Sequence, residues 1–302
     1  MGVFGINYVL PTNIKRTFKT NYSLAQFYHI SPISHCSQIG YLPGVSIGKN
    51  GSPQMPICLC SQNTLSHPHS PKMPLPTIIV PGYLESAIAY RQLEQSLLQL
   101  DIPTATVPLR RRDWLPTIGR PVTPIVQQLD RTVQQMLHKH NAAQVNLIGH
   151  SAGGWVSRIY LGDQPYLAPG QVTSCCWKAH SLVASLITLG TPHISQERWT
   201  RRNLDFVTQN YPGAFYKSVR YICVAGKTIF GQRRPGGWLA YNSYQQTCGQ
   251  GNTWGDGITP IAAAHLEGAE NLVIPGVQHS PRSPGIWYGS PEPLKSWVQY
   301  LL

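Results

Sequence analysis

The chain has 302 residues, of which 42% are hydrophobic and only 12% are Asp, Glu, Lys or Arg, which is enough apolar material for one large domain or two small ones on about half the usual charge. Its 27 glycines and 26 prolines exclude a helical bundle, no apolar run approaches the roughly 18–20 residues that cross a bilayer, and seven scattered cysteines do not form a disulfide framework. The net charge of +12 suits nucleic acid or an anionic lipid surface, but the basic residues are dispersed and the one dense run, Arg110-Arg111-Arg112, reads as a solvated loop; nucleic acid is not expected as a partner, and a peripheral membrane-surface contact is kept open.

Residues 1–72 contain Lys15, Arg16, Lys19, Lys49 and Lys72 and no acidic residue; the first carboxylate is Glu85. This stretch is rich in Ser and Pro and shows no helix or strand period, so it reads as a disordered leader. It is a transit-type segment, a mis-assigned start with Met73 as the true beginning, or a functional arm. The expected compartment is the cytoplasm, or a plastid if the leader is a transit peptide; a secreted or membrane-spanning protein is not expected. Cys58, Cys60, His67 and His69 match no common zinc spacing, so neither metal nor cofactor is expected.

From Met73 the pattern changes, and residues 73–302 read as one catalytic domain. Residues 77–80 form a strand that stops at Pro81-Gly82. Tyr90, Leu93, Leu97 and Leu100 then recur at helical spacing. A strand at 104–107 precedes a helix marked by Ile125, Leu129, Val133 and Leu137. Residues 145–148 form a third strand, and Ser151 opens a helix. Strands follow at 182–189, 219–224 and 272–274, and 293–302 closes the chain as a helix with Pro293 in its first turn. Strands alternating with helices predict an α/β fold, with a mostly parallel sheet of about six strands and helices on both faces.

The third strand runs into Gly149-His150-Ser151-Ala152-Gly153. A nucleophilic Ser needs a sharp strand-to-helix turn that lifts its hydroxyl above the sheet. Residues two away on either side must be Gly, because side chains there would strike the adjoining strand and helix. The Ala152 amide then sits at a helix N-terminus, where positive partial charge collects.

These residues resemble the elbow of the α/β-hydrolase superfamily, in its lipase and esterase branch. Leu189-Gly190-Thr191-Pro192-His193 and Gly255-Asp256-Gly257-Ile258-Thr259-Pro260 resemble further segments of those lipases. The likeness covers residues 75–302 and is nearest to cyanobacterial and plastid lipase-like hydrolases of the inositol-deacylase type. It implies a small lid, read at 195–216, and a triad in the order Ser, acid, His. Asp256 then stands out over Asp163, Glu197, Asp205, Glu267, Glu270 and Glu292, and His279, just past the last strand, over His265. His150 reads as packing and His193 as a site-wall or hinge residue. The oxyanion donors implied are the amides of Ala152 and Tyr83, although lipases carry His where this chain has Pro81.

Trp155, His193, Tyr241 and Tyr244 are candidate lining of the substrate pocket, with plain packing as the alternative. The expected activity is hydrolysis of carboxylic esters, with acyl-lipid esters as substrates. Two alternatives stay open: an acyltransferase using the same triad, and a non-catalytic binding protein on the same fold. The sequence carries no reading of oligomeric state.

Overall fold

A computed structural model describes residues 74–166 and 175–302, apart from the Trp199 side chain. The leader, its boundary at Met73 and the Cys58–His69 cluster lie outside the described residues.

Strand β1 (Thr77–Val80) is buried along its whole length, and a short 3-10 turn (Ala87–Tyr90) leads into helix α1 (Arg91–Leu98). Strand β2 (Thr104–Thr106) is followed by a 3-10 helix (Arg111–Thr117) and by α2 (Thr123–His140). Next come β3 (Val145–His150), α3 (Ala152–Leu161), β4 (Val183–Leu189) and α4 (Arg198–Asn210). Strand β5 (Arg220–Lys227) precedes a small excursion made of β6 (Ile229–Phe230), α5 (Trp238–Cys248) and β7 (Trp254–Gly255). The chain ends with α6 (Ile261–Ala264), β8 (Glu270–Pro275) and α7 (Pro291–Trp297).

Six strands form one sheet in the order β2-β1-β3-β4-β5-β8, and every pairing in it is parallel. The period of two sorts side chains between its faces. Ile78 and Val80, Leu147, Leu186 and Cys223 join the core beneath α2 and α3. Ile79, Ile148, Ile187, Leu189, Ile222 and Val224 join the core beneath α1 and α7. With both faces covered, the central strands read as unbroken apolar runs.

Several boundaries differ from the sequence reading. Leu100 lies beyond α1 and is exposed, because the chain turns at Asp101, which takes φ of +58°. The last helix begins at Pro291 and tightens to a 3-10 turn at Val298–Leu301. The arginine run is exposed as expected, but it opens a helical turn rather than a loop. The 195–216 stretch, read as a lid, contains α4, whose Leu204 and Val207 are buried in the α2–α3 core. It is anchored rather than free-standing. The described cysteines, Cys175, Cys176, Cys223 and Cys248, are all free thiols. Among the described residues no helix is long and apolar enough to cross a membrane.

Candidate active site

The site forms at the carboxyl ends of β1, β3, β5 and β8, where parallel strands hand over to loops. Ser151 sits between β3 and α3 with φ of +50° and ψ of −121°. This is a costly conformation for a residue with a β-carbon. It is held by close packing on both sides. A β-carbon on Gly149 would come within 2.5 Å of Gly154, and one on Gly153 would overlap the Val80 carbonyl oxygen. Ala152 is the first residue of α3, so its amide has no intrahelical acceptor.

Ser151 Oγ lies 3.0 Å from His279 Nε2, and His279 Nδ1 lies 2.7 Å from Asp256 Oδ2. A carboxylate only accepts, so Nδ1 carries the proton and Nε2 is free to accept the Ser151 hydroxyl proton. The Asp256 side chain is fully buried. Burial alone would raise its carboxyl; the neighbouring His279, together with hydrogen bonds from His279, Tyr288 and Thr259, outweighs burial and holds it below the usual carboxylate value. Oδ1 accepts the amides of Ile258 (2.9 Å) and Thr259 (2.7 Å), and Oδ2 also accepts Tyr288 Oη–H (2.7 Å). The tight loop between β7 and α6 therefore supplies two of the four donors. The L-G-T-P-H segment helps to hold that loop, because Thr259 Oγ1–H donates to the Gly190 carbonyl (2.9 Å).

Against this geometry, the comparisons with known proteins can be set. The PGAP1-like alpha/beta domain family matches residues 122–214, a stretch that includes Ser151 and ends before Asp256 and His279. A lipase of Bacillus licheniformis superposes with a TM-score of 0.50 at 18% identity, covering 71% of this chain and 87% of that one. The chain has the α/β-hydrolase fold. Two other solved structures are similar at lower scores. A Listeria innocua gene product has a TM-score of 0.42 at 12% identity, over 76% of this chain and 93% of that one. An alpha-beta serine hydrolase homologue from Coxiella burnetii has 0.39 at 14%, over 75% and 83%. No curated protein sequence matches the chain.

The loop after β1 lies against Ser151. A methyl group on Gly82 would come within 3.0 Å of both Ser151 Cβ and His150 Nδ1. The Gly82 amide donates to Tyr90 Oη (2.9 Å). Arg282, three residues past His279, pairs with Glu85 at 2.6 Å and ties the His279 loop to this one.

His150 is more than packing. Its Nε2 lies 2.9 Å from the His279 carbonyl oxygen and its Nδ1 2.7 Å from Tyr90 Oη. A carbonyl only accepts, so Nε2 carries the proton and Nδ1 accepts Tyr90 Oη–H. One chain of hydrogen bonds thus runs from the Gly82 amide through Tyr90 and His150 to the backbone of His279. Burial, with the adjacent His279, pushes His150 down to about 3, so it stays neutral at ordinary pH.

Three of the four candidate pocket residues belong to the interior, and the fourth packs at its edge. Trp155 is buried in the α2–α3 core, on a helix all of whose residues are buried. His193 is sealed among Arg158, Thr188 and Cys223. Tyr244 is buried, and its hydroxyl accepts the Gly257 amide (2.8 Å) and donates to the Ile229 carbonyl (3.1 Å), so it braces the acid loop. Tyr241 packs beneath Arg233. Two residues the sequence reading missed are central here. Tyr288 links Asp256 to the Gly226 amide (2.8 Å), and Tyr90 links the Gly82 loop to His150. Tyr90 was visible only as one apolar position of a helix, and nothing in the local sequence marks Tyr288. Among the described residues no group of three or more His, Cys, Asp or Glu side chains is placed to hold a metal ion.

Proposed function

We propose that this chain is a serine hydrolase of carboxylic esters, acting on acyl-lipid esters through an acyl-enzyme. What carries the reading is the continuous line Ser151 Oγ, His279 Nε2, His279 Nδ1, Asp256 Oδ2, with steps of 3.0 and 2.7 Å across its two gaps. His279 accepts the Ser151 proton as Oγ attacks the ester carbonyl. The amides of Ala152 and Tyr83 receive the charge that builds on the carbonyl oxygen. His279 then returns the proton to the leaving alkoxide, and water repeats the cycle in reverse to release the acid. Asp256 keeps the imidazole in the tautomer this requires and stabilises the imidazolium. The lipase-like fold supports an ester as the substrate class, and the exposed Trp254 and Ile258, two residues to either side of Asp256, support a lipid one.

Fluorophosphonate labelling tests the nucleophile. The parent is expected to label at one site and to cleave short p-nitrophenyl esters, and Ser151→Ala is expected to do neither while melting at the same temperature. Equal labelling of parent and variant would remove Ser151 from the mechanism.

A further inference from the structure

Between Asp205 and Asp256 the chain has no acidic residue, while Lys217, Arg220, Lys227, Arg233 and Arg234 fall in that span. The second half of the span is the β6–α5–β7 excursion, and it carries several large exposed apolar side chains. Leu239 is 77% and Trp238 is 56% exposed, and Phe230, Trp254 and Ile258 are each more than a third exposed. Ordinary surfaces carry single exposed hydrophobic residues; a contiguous group of large ones marks an interaction site.

Its members are neighbours in the fold. Phe230 and Trp254 face each other across the β6–β7 pair with ring centroids 5.4 Å apart. Gly237, which precedes Trp238, packs on Phe230, and a β-carbon there would lie 2.9 Å from the Phe230 carbonyl oxygen. On the other flank, Ser243 of α5 donates to the Ile258 carbonyl at 2.6 Å, and the Ile258 amide donates to Asp256. The patch therefore begins one hydrogen bond from the carboxylate of the site. Its cations stand among the apolar side chains. Lys227 Nζ lies 5.4 Å above the Trp254 ring, Arg233 lies over Tyr241, and Arg234 is exposed beside them. No carboxylate among the described residues pairs with any of the three.

We infer that this patch is the face on which the protein docks to an anionic lipid surface. Trp, Phe and Leu side chains enter the headgroup–acyl boundary while Lys and Arg stems reach along them to anionic headgroups, which is how interfacial binding combines apolar area with charge. Charge complementarity argues against the nearer occupants. Residues 1–72 carry five basic residues and no acidic one, so their sequence offers no charge complementary to the patch. A second copy would bring the same cations to the same place. The inference rests on the hydrolase reading only for what the docked protein does next, namely draw its ester from that surface.

The test is co-sedimentation of the full chain with phosphatidylglycerol vesicles and with phosphatidylcholine vesicles, with hydrolysis of a water-soluble acetate ester measured separately without vesicles. The parent is expected to bind phosphatidylglycerol, less so as salt rises, and to bind phosphatidylcholine weakly. Trp238→Ser with Leu239→Ser, and Arg233→Glu with Arg234→Glu, are each expected to lower phosphatidylglycerol binding by about tenfold or more, with soluble-ester turnover and thermal midpoint unchanged. Three results would overturn the inference: no binding by the parent, binding unaltered in both variants, or loss with the charge reversals but not with the apolar pair, which is simple adsorption. Loss of self-association rather than of vesicle binding in the variants would assign the patch to a second copy instead. A parent that binds vesicles but cleaves no soluble ester would leave the docking face standing and remove the hydrolase reading.

Discussion

Two histidines, each in a polar cluster, are wired in opposite senses. His279 receives a carboxylate at Nδ1 and points Nε2 at the Ser151 hydroxyl. His193 receives a guanidinium at Nδ1, Arg158 Nη1 at 3.3 Å, and its Nε2 faces Thr188 Oγ1 (3.4 Å) and Cys223 Sγ (3.5 Å). Because a guanidinium only donates, Nδ1 of His193 is the acceptor and the proton sits on Nε2. One cluster leaves a basic nitrogen beside a reachable hydroxyl; the other places a proton there and seals it in. Burial and the nearby Arg158 hold His193 well below its ordinary value. The comparison shows that the group at Nδ1, not the presence of a histidine near a hydroxyl, decides which cluster can perform proton transfer.

The Arg158 cluster has its own logic. Arg158 is only 3% exposed, and its guanidinium has no carboxylate partner among the described residues. It binds the carbonyls of Tyr211 (2.5 Å) and Gly213 (3.2 Å) at the end of α4, where the helix dipole presents negative partial charge. Burial lowers it to about 10, so it remains a cation at neutral pH. It fastens α4 to α3 rather than serving a substrate.

The largest effect that separates the two clusters is expected from Asp256→Asn. Turnover should fall by about 10⁴-fold, since the amide no longer specifies the Nδ1–H tautomer. Adding His279→Ala should cost little more, because the members act as a unit. The same variant should change the acid limb of stability. The folded carboxyl titrates below its ordinary value, so its charged form favours the native state. That contribution is complete above the unfolded-state value and is lost as pH falls through the folded one. Thermal midpoints taken between pH 6 and pH 2 should therefore decline less steeply in Asp256→Asn than in the parent.

A middle effect is expected at His150, which belongs to the site by wiring but not by contact with substrate. His150→Phe breaks the chain between the Gly82 loop and His279, so kcat for a soluble ester should fall by about 10²-fold with KM little changed, the scale of a small misplacement of reacting groups. Tyr90→Phe added to it should cost little more. His150 titrates near 6.5 when exposed and near 3 in the fold. The parent therefore loses stability as pH falls below about 6.5, at up to about 1.4 kcal/mol per pH unit. Denaturant titrations across that window should show the slope reduced in His150→Phe.

The smallest effect on turnover is expected from Arg158→Met. Activity at a temperature well below the melt should stay within about twofold, while stability falls by about 1–3 kcal/mol as the two carbonyls lose their donor. In a domain of this size that is a drop of roughly 2–4 °C for each kcal/mol. A loss of turnover as large as that of Asp256→Asn, without a change in midpoint, would place Arg158 in the chemistry and dissolve the contrast.

Ser151, Asp256 and His279 were legible in the sequence for different reasons. Ser151 announced itself through short-range sterics, because Gly149 and Gly153 are required by a turn whose neighbours lie within a few residues. Asp256 and His279 followed from chain order and from their places after strands, and the structure sets them within hydrogen-bond distance although 23 residues separate them. The pocket aromatics were not legible, because a Trp or Tyr on a helix looks the same whether its face meets the core or the site. Trp155 met the core.

By itself the sequence determined what nearest neighbours decide: the alternation of strands and helices, the parallel sheet, the strained elbow and the long stretch without acid. Only the tertiary structure decided the partners of each polar group. Tyr90 meets His150 across 60 residues, Tyr288 meets Asp256 across 32, and His150 meets the backbone of His279 across 129. Such contacts leave no period and no spacing in the chain, since they arise from how the strands are ordered in the sheet and not from the local preferences of the residues that make them.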